Sequence, residues 1–269
     1  MVATPIGHRD DISARAIETL RNVAVIAAED TRHSRPMLLR HNIGTPLLPL
    51  HEHNEREAVA AIVRRLEEGE SVALISDAGT PLISDPGFRL VRAAREAGIR
   101  CIPVPGACAA IAALSVAGLP SDRFVFEGFL PAKSAARRSR LEELAGDPRT
   151  LIFYESSHRI AESLADMRDV FGAEREAVLA RELTKMFETV IGEPLSQLTE
   201  RVVNDPNQQR GECVVLVAGR GEETDAKLAE GQRVFAILRE ELPPAKAAKL
   251  AAAITGAPRK MLYGDKGEG

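Results

Sequence analysis

The sequence predicts an α/β protein built as two α/β domains followed by a short helical C-terminal tail. Three observations predict it. Short apolar runs alternate with helix-period segments from residue 23 to residue 117, the pattern of βα units and a mostly parallel sheet. Gly118-Leu119-Pro120 stops one helix and holds the chain extended before the alternation restarts, which marks a domain boundary. Beyond Gly219 the strand signal disappears, and residues 225–263 read as two or three short helices. The expected boundaries are therefore 1–118, 119–223 and 224–269.

In order, Val2-Ala3 reads as the end of a first strand, followed by the loop Thr4-Pro5-Ile6-Gly7. A helix starts at Asp11-Ile12-Ser13, with Asp or Ser as its cap. Residues 23–28 form a buried strand that delivers Glu29, Asp30, Thr31 and Arg32, and a helix covers 34–41. A short strand at 47–50 ends in His51-Glu52-His53. Histidines two apart can share a strand face but not a helix face, and no HExxH spacing is present, so a metal site is not predicted. Residues 55–68 form an amphipathic helix closed by Gly69.

The stretch 71–87, SVALISDAGTPLISDPG, organises the first half. Five apolar-leaning residues give a buried strand, and a loop rich in Gly, Asp, Ser and Pro follows. Open α/β sheets bind ligands outside the carboxyl ends of their strands, where glycine lets backbone approach and aspartate accepts from hydroxyls and amines. The same residues also make ordinary tight turns. A helix over 87–97, a strand over 99–104 and a helix of small apolar residues over 107–117 complete the half.

The second half has strands at 124–129, 150–154, 177–180, 187–191 and 213–218, with helices at 160–171 and 195–203. Between the first two strands lies the most basic window, Lys133 to Arg140, with four cations and no acid in eight residues. It is either a solvated helix face paired with Glu142 and Glu143, or a grip for RNA phosphates. A helix over 244–254 with a turn at Thr255-Gly256 closes the chain.

The bulk numbers exclude several classes. Net charge is −4, which does not mark a general nucleic-acid binder. There is no Trp and only two Tyr, too few aromatics for a single-strand stacking platform. Cys101, Cys108 and Cys213 make neither a disulfide framework nor a zinc knuckle, and they fit a reducing cytoplasm. No apolar run approaches a membrane span, and no basic-then-apolar leader is read at the start.

The runs VATPIG (2–7), AEDTR (28–32), HEHNE (51–55), SDAGTPLISDPG (76–87), PGACA (105–109), GLPSDRFVFEGFLPAK (118–133), FYESSHR (153–159) and RELTK (181–185) resemble the rRNA-methylating members of the tetrapyrrole methylase family. The likeness spans nearly the whole chain. It departs at His8-Arg9, where the family has Asn-Leu, and at Ser157, where it has Pro.

This resemblance implies two α/β domains with S-adenosyl-L-methionine in the cleft between them. It implies methyl transfer to the ribose 2′-oxygen of a cytidine in the decoding region of small-subunit rRNA, by a homodimer. By matching motifs, the cofactor is expected to touch Pro5, Asp77, Ala78, Gly79, Thr80, Ile83, Gly106, Ala107, Cys108, Tyr154 and Glu182. A ribose hydroxyl needs a base, and Glu155, Lys133, His51 and Asp30 are the candidates, facing the cleft from strand ends. The expected RNA contacts are Arg32, Arg35, Lys133, Arg137, Arg138 and Arg140 on rRNA or the 30S subunit. Three rivals stand beside this reading: a tetrapyrrole C-methyltransferase, a non-catalytic rRNA assembly factor, and a nucleotide-dependent oxidoreductase. The last is disfavoured because the chain has no GxGxxG.

Overall fold

A computed structural model describes residues 1–51, 54–220, 224–257 and 259–262. Two compact units emerge. One comprises residues 1–145 with 150–217, the other 146–149 with 218–269.

The larger unit holds two sheets. In its first part, α1 (Ala14–Asn22), β1 (Val25–Ala28), α2 (Thr31–Arg40), β2 (Leu47–Pro49), α3 (Glu55–Glu67), β3 (Val72–Ile75), α4 (Phe88–Glu96) and α5 (Ala109–Val116) follow one another. The sheet order is β2-β1-β3, all parallel, and every residue of central β1 is buried, as a strand covered on both faces requires. Ser13 caps α1 by accepting from the Ala16 N–H, and Asp30 caps α2 by accepting from the Arg32 N–H. That cap starts α2 at Thr31, three residues before the predicted helix, with Pro36 accommodated inside it.

Residues 2–3 and 99–104 do not form the two regular strands expected of them. They meet in a single parallel bridge, Val2 to Val104. Backbone bonds nevertheless extend the sheet through this bridge, since the Val2 N–H donates to Leu74 O and the Ala3 N–H to Val104 O.

The second part contains β4 (Phe124–Phe129), α6 (Ser134–Leu144), β5 (Thr150–Ser156), α7 (Ile160–Phe171), β6 (Glu176–Arg181), β7 (Thr189–Pro194), α8 (Leu195–Asn204), a 3-10 turn (Pro206–Gln209) and β8 (Glu212–Val217). The sheet order is β4-β5-β8-β6-β7, and only β4 and β5 run parallel. The mostly parallel sheet is therefore confined to the first part. Strand side chains alternate between faces. Leu151, Phe153, Leu179, Val215 and Val217 pack with α6, α7 and α8. Ile152, Val178, Ala180, Val214 and Leu216 pack instead with Ala110, Ala113 and Leu114 of α5. The small apolar residues of α5 thus belong in sequence to the first half and in packing to the second sheet.

The smaller unit consists of α9 (Thr224–Arg239), α10 (Pro244–Thr255) and α11 (Arg259–Leu262). Ala248, Ala251, Ala257 and Leu262 form its core with Leu228, Val234, Phe235 and Leu238. Gly256 takes the left-handed conformation that closes α10, its N–H donating to Ala252 O. Among the described residues no helix is long and apolar enough to cross a membrane.

Candidate active site

The loops at the ends of the strands in the larger unit enclose a cavity of about 330 Å³. That is within the usual size of a small-molecule site, roughly 300–1,000 Å³. The β3 loop contributes Ala78, Gly79, Thr80, Ile83, Ser84 and Asp85, and the entry to α5 contributes Cys108 and Ala109. The β4 and β5 ends bring Phe129, Tyr154, Glu155, Ser156 and Ser157. Ile6, Ala180 and Leu183 join from the first loop and the β6 end, and Gly211, Glu212, Cys213 and Val214 from the start of β8.

The β3 loop is held from two sides. The Thr4 N–H donates to Gly79 O (2.8 Å) and the Gly79 N–H to Thr4 O (3.1 Å), while the Thr80 hydroxyl donates to Ala107 O (2.9 Å). Gly79 has φ +81°, and a Cβ there would stand 3.2 Å from the Ile6 side chain at the cavity wall. Leu82 (φ +75°) and Ser84 (φ +68°) also lie in left-handed backbone, as do Glu182 (φ +51°) and Thr184 (φ +63°) beyond β6. Such conformations cost roughly 1–2 kcal/mol each outside glycine and persist where the surroundings dictate them. Across the cavity, the Thr184 hydroxyl oxygen accepts from the His8 N–H at 2.9 Å.

The polar groups divide by partner. The Tyr154 hydroxyl oxygen accepts from the Ala110 N–H (3.1 Å), and burial pushes its pKa well up. Glu155 is 2% exposed and fully occupied: Oε1 takes Arg159 (2.6 Å) and the Ser156 N–H (2.7 Å), and Oε2 takes the Ser163 hydroxyl (2.6 Å). This corrects its place among the candidate bases, because both of its oxygens are already taken up by neighbouring donors and neither is presented to a substrate hydroxyl. Burial works against the ionised form of Glu182, but the Lys185 ammonium at 2.8 Å and the Glu212 N–H overcome it and hold the carboxyl below its usual value.

The other three candidate bases are not in the cavity lining. Asp30 caps α2 and pairs with exposed Arg32. Lys133 is the exposed N-cap residue of α6. His51 follows β2, its backbone N–H donating to Asn54 Oδ1, while His53 lies outside the described residues.

Of the expected cofactor contacts, Ala78, Gly79, Thr80, Ile83, Cys108 and Tyr154 line the cavity; Pro5, Asp77, Gly106, Ala107 and Glu182 are not in its lining. Asp77 is turned to the α2 entry, where Oδ1 accepts from the Asp30 N–H at 3.1 Å.

The basic window is also corrected. Arg137 is 1% exposed, with Nε 2.7 Å from Asp166 Oδ2 of α7, so it is a core group and not an RNA contact. Arg138 pairs with Asp166 and Asp169, and Arg140 with Glu127 and Glu143. The solvated, neutralised face describes them better than a phosphate grip. Arg32, Arg35 and Lys133 remain exposed.

Cys213 lines the cavity but is buried, and burial pushes its thiol up to about 12. The reactive form is the thiolate. Iodoacetamide at pH 8 should therefore alkylate exposed Cys101 within minutes and leave Cys213 unmodified until the protein is denatured. Peptide mass spectrometry reads both sites, and rapid labelling of Cys213 in the native protein would contradict the burial argument.

The model for the Tetrapyrrole (Corrin/Porphyrin) Methylases matches residues 1–199. The chain belongs to the tetrapyrrole methylase family. As a member it is a methyltransferase. A second model, the RsmI C-terminal HTH domain, matches residues 225–264. The chain is 64% identical over 267 residues to "Ribosomal RNA small subunit methyltransferase I" of Pseudomonas aeruginosa, covering 98% of this chain and 94% of that one. It is 62% identical to the protein of the same name from Xylella fastidiosa strain Temecula1, covering 98% and 97%. It is 52% identical to that from Escherichia coli O157:H7, covering 98% and 92%.

Solved structures share the fold at lower identity. A cobalt precorrin-4 methyltransferase of cobalamin biosynthesis superposes with a TM-score of 0.60 at 17% identity, over 81% of this chain and 92% of that one. A uroporphyrin-III C-methyltransferase of Thermus thermophilus, complexed with S-adenosylhomocysteine, gives 0.55 at 15% identity, over 81% and 95%. Sequence reasoning missed the β8 contribution, Gly211 to Val214, which forms one wall of this tetrapyrrole-methylase cavity.

Proposed function

We propose that this methyltransferase binds S-adenosylmethionine in the strand-end cavity and methylates the ribose 2′-oxygen of a cytidine in the decoding region of small-subunit rRNA. The observation that carries the reading is a family cavity of ligand size in a chain 52–64% identical, over almost its full length, to proteins named for small-subunit rRNA methylation. It works as a homodimer in the cytoplasm, on free rRNA or on the 30S subunit.

The residues present suit the cofactor. Ile6, Ile83, Leu183 and Val214 give apolar walls, and the glycine at 79 keeps a side chain out of the space. Loop carbonyls and the α5 entry give polar edges for a ligand that carries both charges and hydroxyls. When bound, the cofactor supplies an electrophilic methyl group. The chain's part is alignment of nucleophile, methyl carbon and sulfur, and exclusion of water. With its pKa raised, Tyr154 keeps its proton and serves as a hydrogen-bond donor rather than a base. Of the expected RNA contacts, exposed Arg35 and Lys133, together with Arg32, which is exposed although paired with Asp30, are the cations we assign to RNA phosphates.

Tritiated methyl transfer to small subunits from cells lacking this enzyme tests the reading. Label is expected in rRNA, at one cytidine, as a 2′-O-methyl group resistant to alkaline cleavage. Label appearing only when a tetrapyrrole is offered would replace the reading with C-methylation, and binding of rRNA without any transfer would replace it with an assembly role.

A further inference from the structure

We propose that Asp85 is the general base of this methyltransferase, the group that takes the proton from the substrate hydroxyl as the methyl group arrives. The inference rests on the hydroxyl-methylation reading above and names a residue within it.

Among the described residues, three carboxylates line the cavity: Asp85, Glu155 and Glu212. Glu155 is occupied by Arg159, Ser156 and Ser163. Glu212 is paired with Lys185 at 3.0 Å, and its side chain is 76% exposed. Among the described residues no cation pairs with Asp85. Its carboxylate meets the Ser76 hydroxyl but no guanidinium or ammonium, so it keeps acceptor positions for a ligand.

Its position is fixed with care. Ser84 before it is left-handed (φ +68°), and Gly87 two residues on has φ +120°. The Ser84 hydroxyl lies 3.1 Å from where a Cβ on Gly128 would stand, so the loop is seated against the bulge of β4, where pairing with β5 shifts between Phe126 and Gly128. The residue after Gly128 is Phe129, 57% exposed on the cavity wall and edge-to-face with Tyr154 at 5.7 Å. A carboxylate and a half-bare aromatic ring therefore share one cavity, next to a protonated phenol. An unstacked nucleotide needs a ring to lie on and an acceptor for its hydroxyl, and this group of residues offers both.

The surroundings tune Asp85 in the useful direction. Burial raises its pKa above the usual carboxylate value, the Ser76 hydroxyl partly offsets this, and the nearby Asp77 carboxylate adds to it. The other titratable groups facing the cavity are Tyr154, Cys108, Cys213, Glu155 and Glu212, none of them a cation. A base works best when its pKa approaches the working pH.

The step balances. The ribose oxygen forms a bond to the methyl carbon while the carbon–sulfur bond breaks, its electron pair staying on sulfur and neutralising the sulfonium. The hydroxyl proton moves to Asp85, giving a neutral ether, a neutral thioether and a protonated carboxyl that later loses its proton to water.

Single-turnover methyl transfer to small subunits at saturating cofactor, with cofactor affinity measured by calorimetry, tests this on Asp85→Asn. The expected result is a rate lower by roughly 10²- to 10⁴-fold, the range of general-base catalysis, with affinity within about twofold of wild type. The wild-type rate should rise with pH through the raised Asp85 pKa, and the variant should lack that limb. A variant rate within fivefold of wild type overturns the proposal. So does a lost affinity whose rate recovers at high cofactor, which would make Asp85 a binding group. If Asp85→Asn does not fold by circular dichroism, the wild-type pH profile decides: an acid limb supports the base and a flat profile overturns it. Failure of the substrate reading is visible separately, as a wild-type protein that labels no rRNA.

Discussion

Replacing Asp166 by alanine should lower the stability of the protein by about 3–5 kcal/mol, the range for breaking a buried ion pair on one side. The carboxylate accepts from Arg137 Nε at 2.7 Å, from the Ser134 hydroxyl at 3.0 Å and from Arg138 at 3.3 Å. Arg137 has a side chain only 1% exposed, so its charge cannot turn to water when Asp166 is lost. Glu162 stays 3.6 Å away but is mostly exposed and a weak substitute. Urea titration followed by circular dichroism measures the loss, with Glu143→Ala as the surface comparison at under about 1 kcal/mol. A loss for Asp166→Ala as small as the surface one would mean that the Arg137 pair is not buried in solution. The same geometry makes Arg137→Glu a core substitution rather than a surface one. It places a carboxylate against Asp166 in the core, so a fall in rRNA binding would reflect a damaged α6–α7 contact rather than a lost phosphate grip.

Gly79→Val should weaken S-adenosylmethionine binding by about 5- to 30-fold, because a left-handed backbone costs a substituted residue roughly 1–2 kcal/mol, relieved by moving the loop off its ligand-bound position, and the new side chain enters the cavity wall beside Ile6. Asp77→Ala should weaken it less, since Asp77 is not in the cavity lining and accepts from the Asp30 N–H. Calorimetry on both variants reads the difference. Wild-type affinity in Gly79→Val would remove the β3 loop from the cofactor site.

The sequence made some of this plain and hid the rest for identifiable reasons. β1 and β3 were legible because four apolar residues in a row, with Asp two residues beyond the last, admit few other structures. Residues 99–104 read Ile-Arg-Cys-Ile-Pro-Val, a run broken by Arg100 and by Pro103, and a lone bridge at Val104 is all that forms there. The cavity was half legible. Inspecting the carboxyl ends of strands finds the β3 and β5 loops, but β8 runs antiparallel to β5 and presents its start, Gly211 to Val214. The basic window was half legible, since the expected Glu143 does pair with Arg140 while the acids that hold Arg137 and Arg138 are remote. Local reading offered Glu142 and Glu143, whereas the partner that buries Arg137 comes from α7, 29 residues away. Asp85 sat in plain view in the SDPG turn, but only the occupation of Glu155 in three dimensions distinguishes it.

The left-handed backbone at Leu82, Ser84, Glu182 and Thr184 has a consequence for how this protein can change over time. Each position tolerates Gly, Asn or Asp most easily and resists side chains branched at Cβ, with Thr184 already at the costly end. Mutational drift in these two loops is thus channelled toward a few residue types by backbone geometry, whatever the side chains touch. Variation in substrate preference would have to enter through neighbours with ordinary backbone, such as Ile83, Phe129 and Leu183, where size and shape can be exchanged without unfolding the walls.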